Sequence, residues 1–226
     1  MPEGIFTTAR VSGGRILRRA LHRARLLHDG GAPELVDALL LEGDRQAAAL
    51  VEGMARLLLV VEGGRVVARV ETGPARRSAW APGDPPLRLI TRLDPRPPEG
   101  PFVKSLDRAS FAPLEEEARA LGADGVLLEG PEGLREGTWF HVAVLAHGVW
   151  RTPPVGPGVL YGTTRAAFLA AARARGDRIE ECPLSRAHLE QAEGMLALSS
   201  LLGMAAVSHV DEAALPVIGA FPLPSC

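Results

Sequence analysis

The 226-residue chain has 25 basic residues, and only one of them, Lys104, is a lysine. The other 24 are arginines. A guanidinium serves surface charge, but it stays protonated and cannot act as an amine nucleophile. A lysine can lose its proton when buried and then form Schiff bases with carbonyl groups. A chain that uses arginine nearly everywhere and keeps one amine either needs that amine there or has kept it by compositional drift. The count alone weighs the two readings equally.

Other residue groups could work with such an amine. Gly162-Thr163-Thr164-Arg165 sets a glycine and two hydroxyls at a helix start. Free amides at a helix N-terminus bind anions, and threonine hydroxyls can add to them, so a phosphate would fit. An ordinary threonine N-cap satisfies the same amides without a ligand. Ser199-Ser200, after another strand, is a second such place. Arg135-Glu136-Gly137-Thr138 puts a carboxylate at a strand start, where it acts as a base, partners a cation or sits in a solvated turn. The six histidines show no metal-site spacing, and His141 lies in an apolar strand. Gly-x-Ser-x-Gly, Walker and dinucleotide motifs are absent from the sequence.

The elements that must position these groups fall into two parts. Residues 1–94 read as a small α/β unit: a strand over 5–11, helices over 16–28 and 33–41, and a third helix capped by Asp44 and running to Met54. Strands over 57–62 and 65–71 form a hairpin through Gly63-Gly64, and another strand covers 87–92. The proline-rich stretch 94–101 reads as a linker, so a second domain is expected over 95–226. There, helices over 113–121, 162–175 and 185–191 alternate with strands over 125–128, 134–145, 149–152, 179–183, 195–198 and 204–210. The whole is an α/β chain of the α+β type.

Composition bounds the partners. Hydrophobic residues make up 46% and charged residues 23%, enough for a sizeable core. A net charge of -2 without a basic stripe argues against nucleic acid. No apolar run approaches the ~20 residues that cross a bilayer, so no membrane partner is expected. Met1-Pro2-Glu3-Gly4 lacks the features of a signal peptide, and Cys182 and Cys226 make no framework, so a cytoplasmic protein is expected.

In chain order the motifs resemble the class IV aminotransferase family of pyridoxal-phosphate enzymes, and within it the aminodeoxychorismate lyase branch. The resemblance covers nearly the whole chain. Gly4-Ile5-Phe6-Thr7-Thr8-Ala9-Arg10-Val11 looks like the lyase branch's opening strand; the aminotransferase branches usually have Glu-Thr or Glu-Gly at Thr7-Thr8. His22-Arg23-Ala24-Arg25-Leu26, Lys104-Ser105-Leu106-Asp107-Arg108, Glu136-Gly137-Thr138, Leu160-Tyr161-Gly162-Thr163-Thr164-Arg165 and Leu198-Ser199-Ser200-Leu201 follow in the family's order. The resemblance implies a two-domain fold with the cofactor, pyridoxal 5'-phosphate, at the domain interface. It implies Lys104 as the Schiff-base lysine and Glu136 at the pyridine nitrogen. Arg25, Thr163, Thr164 and Ser200 fall to the phosphate.

Thr8, Arg10 and Arg108 are the implied substrate contacts, although surface salt bridging explains the two arginines equally well. The implied reaction turns 4-amino-4-deoxychorismate, a small-molecule substrate, into 4-aminobenzoate and pyruvate for folate synthesis. The implied assembly is a homodimer. The chain departs from the family's pattern at Asp107, His141, Leu202 and Val60-Val61-Glu62-Gly63-Gly64, and it starts at the Gly-x-Phe strand. Branched-chain or D-amino acid transamination and a non-catalytic cofactor-binding homologue stand as the other readings.

Overall fold

The computed structural model describes residues 4–75, 78–97, 102–219 and 221. It divides into two compact units. One holds the described residues to Ala79 together with Val103–Asp107, the other Trp80–Phe102 and the described residues from Arg108 on.

In the first unit, β1 (Gly4–Ser12), β2 (Arg15–Ile16), β3 (Glu52–Glu62) and β4 (Arg65–Gly73) form an antiparallel sheet in the order β2-β1-β3-β4. Two helices, α1 (Arg19–His28) and α2 (Pro33–Ala47), supply its apolar cover. Successive strand side chains point to opposite faces. Ile5, Ala9 and Val11 of β1 therefore enter clusters with Leu26, Val36, Leu39, Leu40 and Ala47 of the helices. The alternate residues Phe6, Thr8 and Arg10 lie on the other face. Gly43 allows close approach of α2 to the sheet, since a Cβ there would lie 2.7 Å from Leu57.

The helix expected from Asp44 to Met54 does not form. Buried positions Val36, Leu39, Leu40, Gly43 and Ala47 run at helical spacing straight past Asp44, so one helix replaces two. Asp44 sits on its outer face, 2.6 Å from Arg19. Met54 belongs to β3, paired with Arg10.

Among the described residues the second unit is built on nine strands: β5 (Leu87–Leu93), β6 (Gly125–Gly130), β7 (Gly133–Gly137), β8 (His141–Ala146), β9 (Val149–Thr152), β10 (Arg178–Glu181), β11 (Gly194–Ser199), β12 (Gly203–Val210) and β13 (Ala213–Ala214). Their order is β10-β9-β8-β11-β12-β5-β6-β7, with β13 on β12. Helices α3 (Ala112–Ala120), α4 (Thr163–Ala174) and α5 (Arg186–Glu190) complete it. Large buried clusters gather Leu127, Leu134, Phe140, Val142 and Met195, and separately Trp150, Phe168, Leu196 and Leu198.

The expected division at 94/95 differs from the observed one. Strand β5 pairs in parallel with β12 and β6, which ties residues 87–93 to the second unit. Of the stretch read as a linker, residues 94–97 belong to that unit, and 98–101 lie outside the described residues. The strand expected over 134–145 is two strands. Gly137 N–H donates to Phe140 O at 2.7 Å and turns the chain. A Cβ on Gly137 would sit 2.2 Å from the Phe140 ring, so only glycine fits that turn.

Candidate active site

In the first unit the segment with Lys104 lies along β1. Phe6 N–H donates to Lys104 O at 3.0 Å, and Leu106 N–H donates to Gly4 O at 3.2 Å. Lys104 is half-buried, with Nζ 5.0 Å from the Phe6 ring centroid. The Arg56 guanidinium lies 4.4 Å from the same centroid. Arg56 is the cross-strand partner of Thr8. This face of the sheet thus carries Phe6, Thr8, Arg10 and Arg56, with Lys104 and Arg56 against the Phe6 ring. Arg10 also meets Glu52 at 3.1 Å, an ion pair of the kind expected for a surface arginine.

Asp29, whose side chain is fully buried, brings two of the sequence-predicted residues together. Its Oδ2 accepts the Lys104 backbone N–H at 3.1 Å and lies 3.8 Å from Arg25 Nε. In the sequence Asp29 is the residue between the helix over 16–28 and Gly30-Gly31, a helix-stop pattern that says nothing about its side chain. A carboxylate at a helix C-terminus opposes the helix dipole, and that local mismatch was the available hint. Beside it, His22 is fully buried with Nδ1 2.7 Å from Thr7 Oγ1. Burial, then the charges of Arg18, Arg25 and Lys104, push its ring down to about 3, so it is neutral.

In the second unit Glu136 is buried on β7. Its Oε1 accepts from Arg96 Nη1 at 2.8 Å, and its Oε2 accepts the Leu160 N–H at 3.0 Å. His141 Nε2 lies 3.0 Å from the same Oε2 and 2.9 Å from Leu160 O. Both neighbours are acceptors, so Nε2 carries the hydrogen. Burial alone would push the Glu136 carboxyl up. The hydrogen bond and charge of His141, the Arg96 charge and the Leu160 N–H outweigh it and hold the group at about 2.

Helix α4 is preceded by its N-cap Gly162, next to His141. A Cβ on Gly162 would lie 2.6 Å from His141 Cε1, so glycine is required for the approach. Gly162 is the N-cap and makes no side-chain cap bond. The threonine cap considered from sequence is therefore not what closes this helix. Thr163 and Thr164 are each 2% exposed, and Thr164 Oγ1 is buried with no partner. Arg165 turns away to Thr152 and Glu181. Ser200 follows β11, whose Leu198 pairs with His141, so it stands at the same end of the sheet. Arg108 donates to Thr138 O and lies 3.5 Å from Glu115.

The first unit thus holds an amine, Lys104, whose backbone shares Asp29 with the buried Arg25; the second holds a buried ionised carboxylate and a helix N-terminus with an orphaned hydroxyl. These are the kinds of group that a phosphorylated pyridine aldehyde needs. The sequence profile of amino-transferase class IV matches residues 4–210, and the chain belongs to that family. Pyridoxal phosphate is the family's cofactor. The chain is 29% identical over 133 residues to a Methanocaldococcus jannaschii protein, "Putative branched-chain-amino-acid aminotransferase"; the match spans 57% of this chain and 46% of that protein. A solved hypothetical aminotransferase from Mycobacterium tuberculosis, in a PLP-bound form, is 26% identical over 95% of this chain and 83% of its own, with a TM-score of 0.79. The 4-amino-4-deoxychorismate lyase from Pseudomonas aeruginosa shares the fold at 24% identity and a TM-score of 0.77, over 95% and 86% of the two chains.

Proposed function

We propose that this chain is a pyridoxal-phosphate-dependent lyase that converts 4-amino-4-deoxychorismate to 4-aminobenzoate and pyruvate. The observation that carries the reading is the face of β1, where Thr8 and Arg10 share a side with Phe6 and Arg56, and Lys104 and Arg56 lie against the Phe6 ring. A threonine hydroxyl and several cations suit a substrate with two carboxylates better than a carboxylate-bearing strand would.

Lys104 would carry the cofactor, with Arg25, Thr163, Thr164 and Ser200 at its phosphate and Glu136 at its ring nitrogen. The unpartnered Thr164 hydroxyl and the uncapped first turn of α4 fit an anion there. When bound, the cofactor supplies an electron sink for charge developing beside the substrate nitrogen. The Lys104 amine would take the ring proton from the amino-bearing carbon itself and return a proton to the enolpyruvyl methylene. One C–O bond breaks, the ring becomes aromatic and pyruvate leaves, with no net oxidation. Arg10 and Arg108 would hold carboxylates, and Thr8 would orient the substrate beside Lys104.

The test is product formation from 4-amino-4-deoxychorismate without any keto acid. Equal amounts of 4-aminobenzoate and pyruvate, lost in Lys104→Ala, support the lyase. Turnover only with an amino acid and a keto acid supports a branched-chain or D-amino acid aminotransferase; the name of the M. jannaschii relative gives the branched-chain class, and that of the M. tuberculosis protein an aminotransferase. Cofactor binding without any turnover supports a non-catalytic homologue. The homodimer is part of the proposal, and sedimentation at the dimer mass checks it.

A further inference from the structure

Arg96, which no motif singled out, joins two buried carboxylates of the second unit. Its guanidinium spends four of its five N–H groups. Nε and Nη2 donate to the two oxygens of Asp94 at 2.9 and 2.8 Å, Nη1 donates to Glu136 Oε1 at 2.8 Å, and Nη2 also donates to Gly158 O at 2.8 Å. The Phe102 and Phe111 rings each lie 5.5 Å from its centre. Arg135 Nη1 holds Asp94 from the other side at 2.9 Å. Asp94 and Glu136 expose only 1% and 4% of their side chains.

The four charges therefore balance: two buried carboxylates against two guanidinium groups. Buried pairs of this kind seldom raise stability over an apolar core, so a chain that keeps one gains something else from it. The gain is visible in Glu136. Three donors hold its two oxygens: His141 and the Leu160 N–H on Oε2, and on Oε1 Arg96, which of the three is itself anchored on a second carboxylate, Asp94.

We propose that Arg96 is a positioning residue for the cofactor's ring nitrogen, acting through Glu136. It fixes the direction of the carboxylate and keeps it ionised, so that the ring nitrogen meets an anion. This rests on the cofactor reading given above. Without Arg96 one buried negative charge is left over. Asp94 keeps Arg135, so the proton taken up to restore balance is shared between Glu136 and His141, and the carboxylate is no longer held ionised by a permanent charge on Oε1. A neutral acid is a weaker partner for a protonated ring nitrogen.

The experiment titrates the full-length apoprotein with pyridoxal phosphate and with its 1-deaza analogue, in which C–H replaces the ring nitrogen. Wild type, Arg96→Gln and Arg96→Lys are compared by absorbance, with circular dichroism on each. Arg96→Gln should weaken pyridoxal phosphate about tenfold, as for loss of one charged contact. The deaza analogue should change less than about twofold. Arg96→Lys keeps the charge but cannot span Asp94, Glu136 and Gly158 together, so it should recover part of the loss. Equal weakening of both ligands in the folded variants would mean that Arg96 only supports the local structure, which overturns the proposal. Unchanged binding of both overturns it too. Should Arg96→Gln fail to fold, Arg96→Lys decides alone by the same comparison. Wild type that binds neither ligand removes the cofactor reading and this inference together, a result distinct from those of the variants.

Discussion

Replacing Thr164 by valine should move stability and cofactor affinity in opposite directions. Thr164 is 2% exposed, and its hydroxyl is buried without a partner. Such an orphaned group costs about 1–3 kcal/mol. Valine keeps the branched shape and removes the polar atom, so the cofactor-free protein should gain about 1 kcal/mol, roughly 2–4 °C in Tm for a chain of this size. If the hydroxyl exists to meet a phosphate, its loss removes a hydrogen bond to a charged group, about 1.5–3 kcal/mol. That corresponds to weakening by about 10–100-fold. Urea unfolding of the apoprotein gives the first quantity, and titration with pyridoxal phosphate the second. A variant that loses 1 kcal/mol or more, or binds the cofactor within about twofold of wild type, would refute the reasoning.

Asp29→Ala takes the buried carboxylate from the Lys104 amide and from beside Arg25. It should cost about 2–4 kcal/mol in urea unfolding, with Asp29→Asn losing less; a change within about 0.5 kcal/mol would contradict that role. Glu136 titrates at about 2 when folded, below its ordinary 4.5. Its ionised contacts stabilise the protein fully above 4.5 and are lost as the pH falls toward 2, so the stability gap to Glu136→Gln should shrink over that window. His22 is pushed to about 3 from 6.5, so unfolding takes up a proton between those values. Stability should fall from pH 6.5 toward 3, and His22→Gln should flatten that slope. Gly162→Ala forces a methyl to within 2.6–2.8 Å of the His141 ring. A loss of about 1–3 kcal/mol is expected by thermal unfolding, and none would mean that the ring is free to move.

Much of the framework was legible because it rests on local signals. The β3–β4 hairpin follows from Gly63-Gly64 between apolar runs, and both glycines take positive φ as such a turn requires. The short helix after Ser185 was readable from its cap, where His188 Nδ1 accepts the Ser185 N–H at 3.0 Å. Asp44 misled because it has the type of a cap and the position of a helix surface. The proline-rich stretch hid Asp94 and Arg96, because composition reports backbone stiffness and not where a side chain is buried. Asp29 and Arg96 were missed for one reason: each acts on residues distant in sequence, Lys104 and Glu136, and no local pattern encodes that.

The central claim is that the chain's single lysine, Lys104, carries the cofactor. Incubating the purified protein with pyridoxal phosphate, reducing it with borohydride and mapping the peptides by mass spectrometry tests this directly, since no other side-chain amine can compete. The account predicts one phosphopyridoxyl group on the Lys104 peptide, and none in Lys104→Ala. An unlabelled Lys104 peptide, with the protein folded and the cofactor in excess, would contradict it.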